Sequence, residues 1–189
     1  MMIHQKVLQY LSEVKAICDS VSIDDLVKFS SEITTVKSNG GRLFFVGVGG
    51  SAGNASHAVN DFRKILGIES YSISDNVSEL TARINDEGWS SCYSNWLKIS
   101  RLTDRDAIVV FSVGGGSETT SQNIVQAIDF AKSVGAKVLS VVSRDGGHSK
   151  KMSDACVLIP VMNVDRITPH AEEWQGIVWH MVVNLLSKD

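Results

Sequence analysis

Leu43-Phe44-Phe45-Val46-Gly47-Val48-Gly49-Gly50-Ser51-Ala52-Gly53-Asn54-Ala55-Ser56-His57, running on to Asp61, is the stretch whose reading decides the fold. A short apolar run rich in β-formers breaks into glycine and then turns helix-friendly. That order predicts a buried strand, a tight loop and a helix N-terminus. Glycines let backbone N–H groups approach an oxyanion closely, and the helix behind adds about half a positive charge at its first turn. A phosphate-sized anion is stabilised there. Ser51 either donates a hydroxyl to that anion or caps the helix. His57 and Asp61, four residues apart, share one helical face, so a nitrogen and a carboxylate can converge on one metal or one reacting group.

The rest of the chain alternates in the same way. Apolar residues at helical spacing mark residues 3–18, and Ser22 with Asp25 opens a second helix that stops near Gly40-Gly41. This helical hairpin either packs on a partner subunit or covers the sheet of its own chain. Strands are expected at 43–47, 69–73, 107–112, 137–142 and 155–160. Helices are expected at 51–66, 76–84, 90–100, 119–134 and 170–186, with a short one after Asp145-Gly146-Gly147-His148 and a polar loop at 85–89. A second glycine loop, Val113-Gly114-Gly115-Gly116-Ser117-Glu118, follows the clearest strand. Such βαβ succession implies a parallel sheet with helices on both faces, with ligands at the strand C-termini.

Composition narrows the function classes. The chain has 189 residues, 43% hydrophobic, which predicts one domain: a hairpin over 1–39 and an α/β core over 40–189. A net charge of −3 without a basic cluster argues against nucleic acid. No apolar run reaches a membrane span, and the first residues lack a signal-peptide layout. Cys18, Cys92 and Cys156 are widely spaced, with no CxxC, which suits a reducing cytoplasm.

Gly47-x-Gly49-x-x-Ala52 with Glu69 some twenty residues on formally satisfies a dinucleotide fingerprint. Three features fit it poorly: the inward His57/Asp61 pair, the second Gly/Ser loop, and a terminal helix rich in His and Glu. A lone inward histidine is usually a satisfied core residue. His57/Asp61 beside a glycine loop, with Glu172 and His180 on another helix, point instead to a site. Trp89, Trp96, Trp174 and Trp179 read mainly as core or interface. His148 reads as an exposed loop residue, and His170 as a site contact or a capping residue.

Gly47-x-Gly49-Gly50-Ser51 with His57, Ser74-Asp75, Asn85-Asp86, Ser112-x-x-Gly115-x-Ser117, Asp145-Gly146-Gly147 and His180 resemble, in order and over nearly the whole chain, the phosphoheptose isomerases of the sugar-isomerase (SIS) fold. The resemblance implies a five-stranded parallel, Rossmann-like sheet, a cytoplasmic homotetramer and one divalent metal per subunit, usually zinc. It also implies aldose–ketose isomerisation of sedoheptulose 7-phosphate to D-glycero-D-manno-heptose 7-phosphate. By resemblance, Asp61 is the base and His180 the acid, and His57, Asp61, Glu172 and His180 hold the metal. The substrate lies against Gly49, Gly50, Ser51, Asn85, Asp86, Ser112, Gly114, Gly115, Ser117 and Glu172. Four positions depart from the family pattern. Asp61 replaces a glutamate, Val48 an asparagine and Gly114 a serine. The ligand glutamine falls on Glu172 counted back from His180, or on Thr168 counted forward from Asp165; Glu173 could take the place of Glu172. An isomerase of another sugar phosphate and a non-catalytic SIS binding protein are the alternatives.

Overall fold

The computed structural model describes residues 2–187. Five strands form one parallel sheet in the order β2-β1-β3-β4-β5: β1 (Leu43–Gly47), β2 (Ser70–Ser72), β3 (Ala107–Phe111), β4 (Lys137–Val142) and β5 (Ala155–Leu158). Chain order reverses between β1 and β3. The loops that leave these two neighbouring strands therefore open a crevice at their C-terminal ends. Both glycine loops lie there.

Every residue of β1 and β3 is buried, because helices cover both faces of the sheet. Side chains alternate across the pleat. Leu43, Phe45, Val109 and Phe111 join α2 (Ile23–Ser38), α3 (Gly50–Lys64) and α8 (Ile167–Leu186) in one core. Phe44, Val46, Ile108 and Val110 join α5 (Cys92–Ile99) and α6 (Gln122–Ser133) in the other. Trp174 and Trp179 belong to the first core and Trp96 to the second, whereas Trp89 is partly exposed.

The two N-terminal helices, expected as a packed hairpin, have few contacts with each other and play different roles. Helix α2, capped by Ser22 accepting from Asp25 N–H, buries Phe29, Ile33 and Val36 over its own sheet. Helix α1 (Ile3–Ser20) buries only Glu13 and Ile17, and its stripe of Ile3, Val7, Leu8 and Leu11 faces outward.

Three boundaries differ from the sequence expectation by three residues, and others by one or two. Helix α4 (Val77–Glu87) runs through Asn85 and Asp86, which composition placed in a loop. Arg83 bridges Glu79 and Glu87 one turn either way, and Gly88, at φ +85°, ends the helix instead. Helix α6 starts three residues late, because Ser117 Oγ accepts from the amides of Thr119 and Thr120 and ties them into a turn. Helix α8 starts one turn early. Pro169 sits within its first turn, where the missing N–H matters least. Among the described residues no helix is long and apolar enough to cross a membrane.

Candidate functional site

A cavity of about 420 Å³ opens between the two glycine loops, lined by Val48, Ser51, Ser112, Gly114, Ser117 and Arg144 among others. The three serines expected to bind phosphate thus meet in one place. Ser112 Oγ accepts from Gly115 N–H at 3.0 Å, and Ser117 Oγ accepts from Thr119 and Thr120. Each leaves its hydroxyl proton to be given elsewhere. Gly115 N–H is therefore already engaged, and Ser117 N–H donates to Thr120 O. The amides of Gly50 and Ser51 head α3, where a helix has no internal acceptors to offer them.

Backbone contact holds the second loop in shape. Helix α7 (Gly147–Met152) sends Ser149 N–H and Oγ to Gly115 O, and His148 N–H to Gly116 O. Gly115, at φ +72°, lies so close to Gly146 that a Cβ would come within 2.6 Å of its carbonyl carbon. Arg144 adds a cation to the cavity wall. It holds a left-handed φ of +56°, a position that sequence patterning alone does not announce.

Farther along α3, His57, Asp61 and His180 converge, their ligand atoms all within 4.8 Å of one another. His57 Nε2 lies 3.8 Å and His180 Nε2 3.5 Å from Asp61 Oδ2. The imidazoles are about half exposed (57% and 52%) and the carboxylate only 12%. Asp61 is fixed from behind, as Trp179 Nε1 donates to Oδ2 at 3.2 Å and Asn60 Nδ2 to Oδ1 at 3.0 Å. Two nitrogens and one oxygen at this spacing, open to solvent on the imidazole side, fit a borderline divalent cation with room for a further ligand.

Glu172, expected as the fourth ligand, stands apart from this group. Its carboxylate lies over Gly50, 2.6 Å from where a Cβ of that residue would stand. Eight residues, about 12 Å along α8, separate it from His180, so Glu172 meets the loop end of α3 while His180 meets its middle. Thr168, the other candidate from the sequence, lines the cavity. Glu173 is engaged elsewhere, with Tyr10 OH and with His170 Nδ1 at 3.2 Å. That bond to Glu173 pushes the Tyr10 hydroxyl up to about 12. His170 Nε2 in turn lies 3.0 Å from Glu13 Oε2. Glu13 also accepts two 2.7 Å bonds from Arg166, which hold its carboxyl well below the usual range. His170 is thus neither cap nor ligand but a buried link between α1 and α8. His148 is partly exposed, 2.7 Å from Asp129. Asn85 and Asp86 are exposed on the last turn of α4 and bond to each other, away from the cavity lining.

Two residues behind the site, Asn54 and Gln175, went unnoticed in the sequence, and Trp179, read there as core or interface, also holds Asp61. Gln175 is fully buried on the stripe that carries Trp179 and Val182. An uncharged polar residue in that phase is the signal that could have found it.

Known proteins give the arrangement its context. The phosphoheptose isomerase of Helicobacter pylori strain P12 is 27% identical over 95% of this chain and 93% of its own length. That of Chlorobaculum tepidum is 29% identical over 87% of this chain and 78% of its own. The solved phosphoheptose isomerase of Neisseria gonorrhoeae superposes over the full length of both chains with a TM-score of 0.87 at 21% identity, a likeness of fold. The SIS domain model matches residues 9–143, well over half of the sequence, and the chain belongs to the SIS domain family.

Proposed function

We propose that this protein is a phosphoheptose isomerase, one domain over 1–189, that interconverts sedoheptulose 7-phosphate and D-glycero-D-manno-heptose 7-phosphate. The convergence of His57, Asp61 and His180 from two helices carries this reading. The phosphoheptose isomerases among its relatives support it. In this reading the phosphate sits in the cavity, received by Ser51, Ser112, Ser117, Arg144 and the free amides at the head of α3. Gly114 lines the wall, whereas Gly49, Gly50 and Gly115, expected beside the substrate, are outside that lining and belong to the loops and helix head behind it. His57 lies six helical steps, about 9 Å, along α3 from Ser51, a span for an extended sugar phosphate.

The reaction moves one proton between adjacent carbons through an enediol. Asp61, held by Trp179 and Asn60, is the base, and His180 returns the proton. Base positioning is sensitive on the ångström scale, where a misplacement of about 1 Å costs on the order of a hundredfold. The side chain of Asp61 is one methylene shorter than glutamate, and its two anchors reduce its freedom to wander. A divalent cation held by His57, Asp61 and His180, in the reading zinc, would supply positive charge for the developing oxyanion. Glu172, at the loop end, contacts the sugar rather than completing that set.

The outward apolar stripe of α1 and an apolar groove lined by Ile23, Leu26, Val27, Met181 and Leu185 support self-association, in this reading as a homotetramer of the cytoplasm. Asn85 and Asp86 do not line the cavity of one subunit, so in this reading they would contact substrate from a neighbouring subunit.

The test is isomerisation of sedoheptulose 7-phosphate, with elemental analysis of protein purified without chelator. About one metal per subunit, lost in His57→Ala and His180→Ala, is expected. Metal content unchanged in both variants would overturn the cation site. Val48 and Gly114 on the cavity wall favour a second reading, the same chemistry on another sugar phosphate. Activity on a pentose or hexose phosphate in preference to the heptose would select it.

A further inference from the structure

Ser51, Asn54 and Gln175 form a chain of hydrogen bonds whose direction is fixed at one end. Asn54 Nδ2 lies 2.9 Å from the backbone carbonyl oxygen of Glu172. A carbonyl only accepts, so the amide of Asn54 must turn its nitrogen that way. The same nitrogen donates to Gln175 Oε1 at 2.8 Å. Gln175 therefore shows its oxygen to Asn54 and its NH₂ to Ser51, donating to Oγ at 3.0 Å. Gln175 and Ser51 are both buried, so bulk water does not compete for these bonds.

A serine hydroxyl that accepts in this way has one proton left to give. Among the described residues no protein group takes it, and Ser51 lines the cavity between the glycine loops. We infer that Gln175, oriented by Asn54, is a positioning residue that makes the Ser51 hydroxyl an obligatory donor to an anion in that cavity. The inference rests on the phosphate reading above. It extends to a buried side chain what Gly115 N–H does for Ser112 and the Thr119 and Thr120 amides do for Ser117. In all three, the fold occupies the acceptor side of the hydroxyl. An anion then finds donors that do not have to reorient before binding.

Gln175 could instead do no more than tie α8 to α3, and the two roles separate experimentally. Gln175→Glu keeps the size and still accepts from Asn54, but its carboxylate also accepts from Ser51 and draws the proton away from the cavity. Gln175→Met removes both bonds and leaves the hydroxyl free to rotate toward the anion. Binding of inorganic phosphate and of sedoheptulose 7-phosphate is measured by calorimetry, well above the carboxylate titration range. Gln175→Glu is expected to weaken both about tenfold or more, the scale of a hydrogen bond to a charged partner, and Gln175→Met far less.

Charge repulsion from the new carboxylate is removed by repeating the substitution in a Ser51→Ala background. Repulsion persists there while the orientation effect vanishes, so the fold-change should shrink. Asn54→Ala, on the partly exposed flank, gives a second route should the buried variants fold poorly. It should weaken phosphate binding in the wild type and add nothing to Gln175→Met. Equal losses in both serine backgrounds, or Gln175→Met as damaging as Gln175→Glu, would overturn the orienting role. Wild-type phosphate affinity in Ser51→Ala alone would overturn the phosphate placement, and this inference with it.

Discussion

Two glycines, Gly115 of the second loop and Gly50 at the head of α3, should respond very differently to one added methyl group. A Cβ on Gly115 would overlap the backbone of Gly146, 2.6 Å from its carbonyl carbon, and would do so at φ +72°. Carbon atoms pack at about 3.5–4.0 Å, so one loop has to move by roughly an ångström. Backbone cannot swing aside as a side chain does. The left-handed conformation itself costs a β-carbon-bearing residue about 1–2 kcal/mol. The bonds from Ser149 to Gly115 O and from His148 to Gly116 O are put at risk, each worth about 1 kcal/mol. Gly115→Ala should therefore destabilise by about 3–5 kcal/mol, a fall in Tm of roughly 10 °C for a chain of this size.

Gly50 also has no room for a Cβ, but what it meets is the carboxylate end of Glu172. That end can rotate away for about 1 kcal/mol, and alanine returns up to about 1 kcal/mol of backbone entropy within a helix. Gly50→Ala should melt within a few degrees of the wild type and lose sugar-phosphate affinity, while adding Glu172→Ala to it relieves the clash altogether. Differential scanning calorimetry on the three variants decides the matter. A Gly50→Ala protein as unstable as Gly115→Ala would mean that Glu172 is clamped in place. A Gly115→Ala protein that melts like the wild type would refute the backbone-to-backbone packing of the second loop.

Asp61→Asn should keep the fold, since the amide oxygen can still accept from Trp179, and should abolish solvent deuterium exchange into the substrate; full exchange would move the base to another residue. Ser117→Ala should weaken sugar-phosphate binding about tenfold, the loss expected for one hydroxyl on a charged partner, and calorimetry at wild-type affinity would remove Ser117 from the phosphate site. Glu13, whose carboxyl is held low by Arg166, stabilises the fold above the ordinary carboxylate pKa and loses that contribution as pH falls through its own lower value. The gap in Tm between wild type and Glu13→Gln should thus be widest near neutrality and close in acid, and a gap independent of pH would contradict the ion-pair account. Leu8→Glu with Leu11→Glu, on the outward face of α1, should dissociate the assembly in light scattering with little change in monomer helicity.

Legibility in the sequence followed the range of the forces involved. The strand, loop and helix after Leu43 were readable because each step is local: β-formers, then glycine, then a helical phase that sets His57 and Asp61 on one face. The same logic found the second loop after Phe111. Misreadings arose where a local signal was outweighed by a partner one turn away. Asn85-Asp86 looks like a loop, yet Arg83 between Glu79 and Glu87 carries α4 through it to Gly88. Pro169 looks like a boundary, yet it is accommodated in the first turn of α8.

What could not be read was which side chains of α8 meet which side chains of α3. Counting back from His180 sets the face of α8 that Glu172 occupies but not the neighbour it meets, because helical phase fixes direction and not depth. Gly50 has no side chain, and the space it leaves is what admits the carboxylate of Glu172 to the head of α3. One turn on, Gln175 reaches Ser51, and from there Trp179 reaches Asp61. Glu172, Gln175 and Trp179 advance by three and four residues, the two steps that keep one helical face against its partner. A single seam between two helices therefore supports the head of the phosphate cavity and the back of the candidate base together. A shift of α8 along α3 would displace Gln175 from Ser51 and Trp179 from Asp61 by the same amount. In the proposed reaction, binding and proton transfer would then be coupled through that seam, with a buried glutamine behind Ser51 and a buried tryptophan behind Asp61.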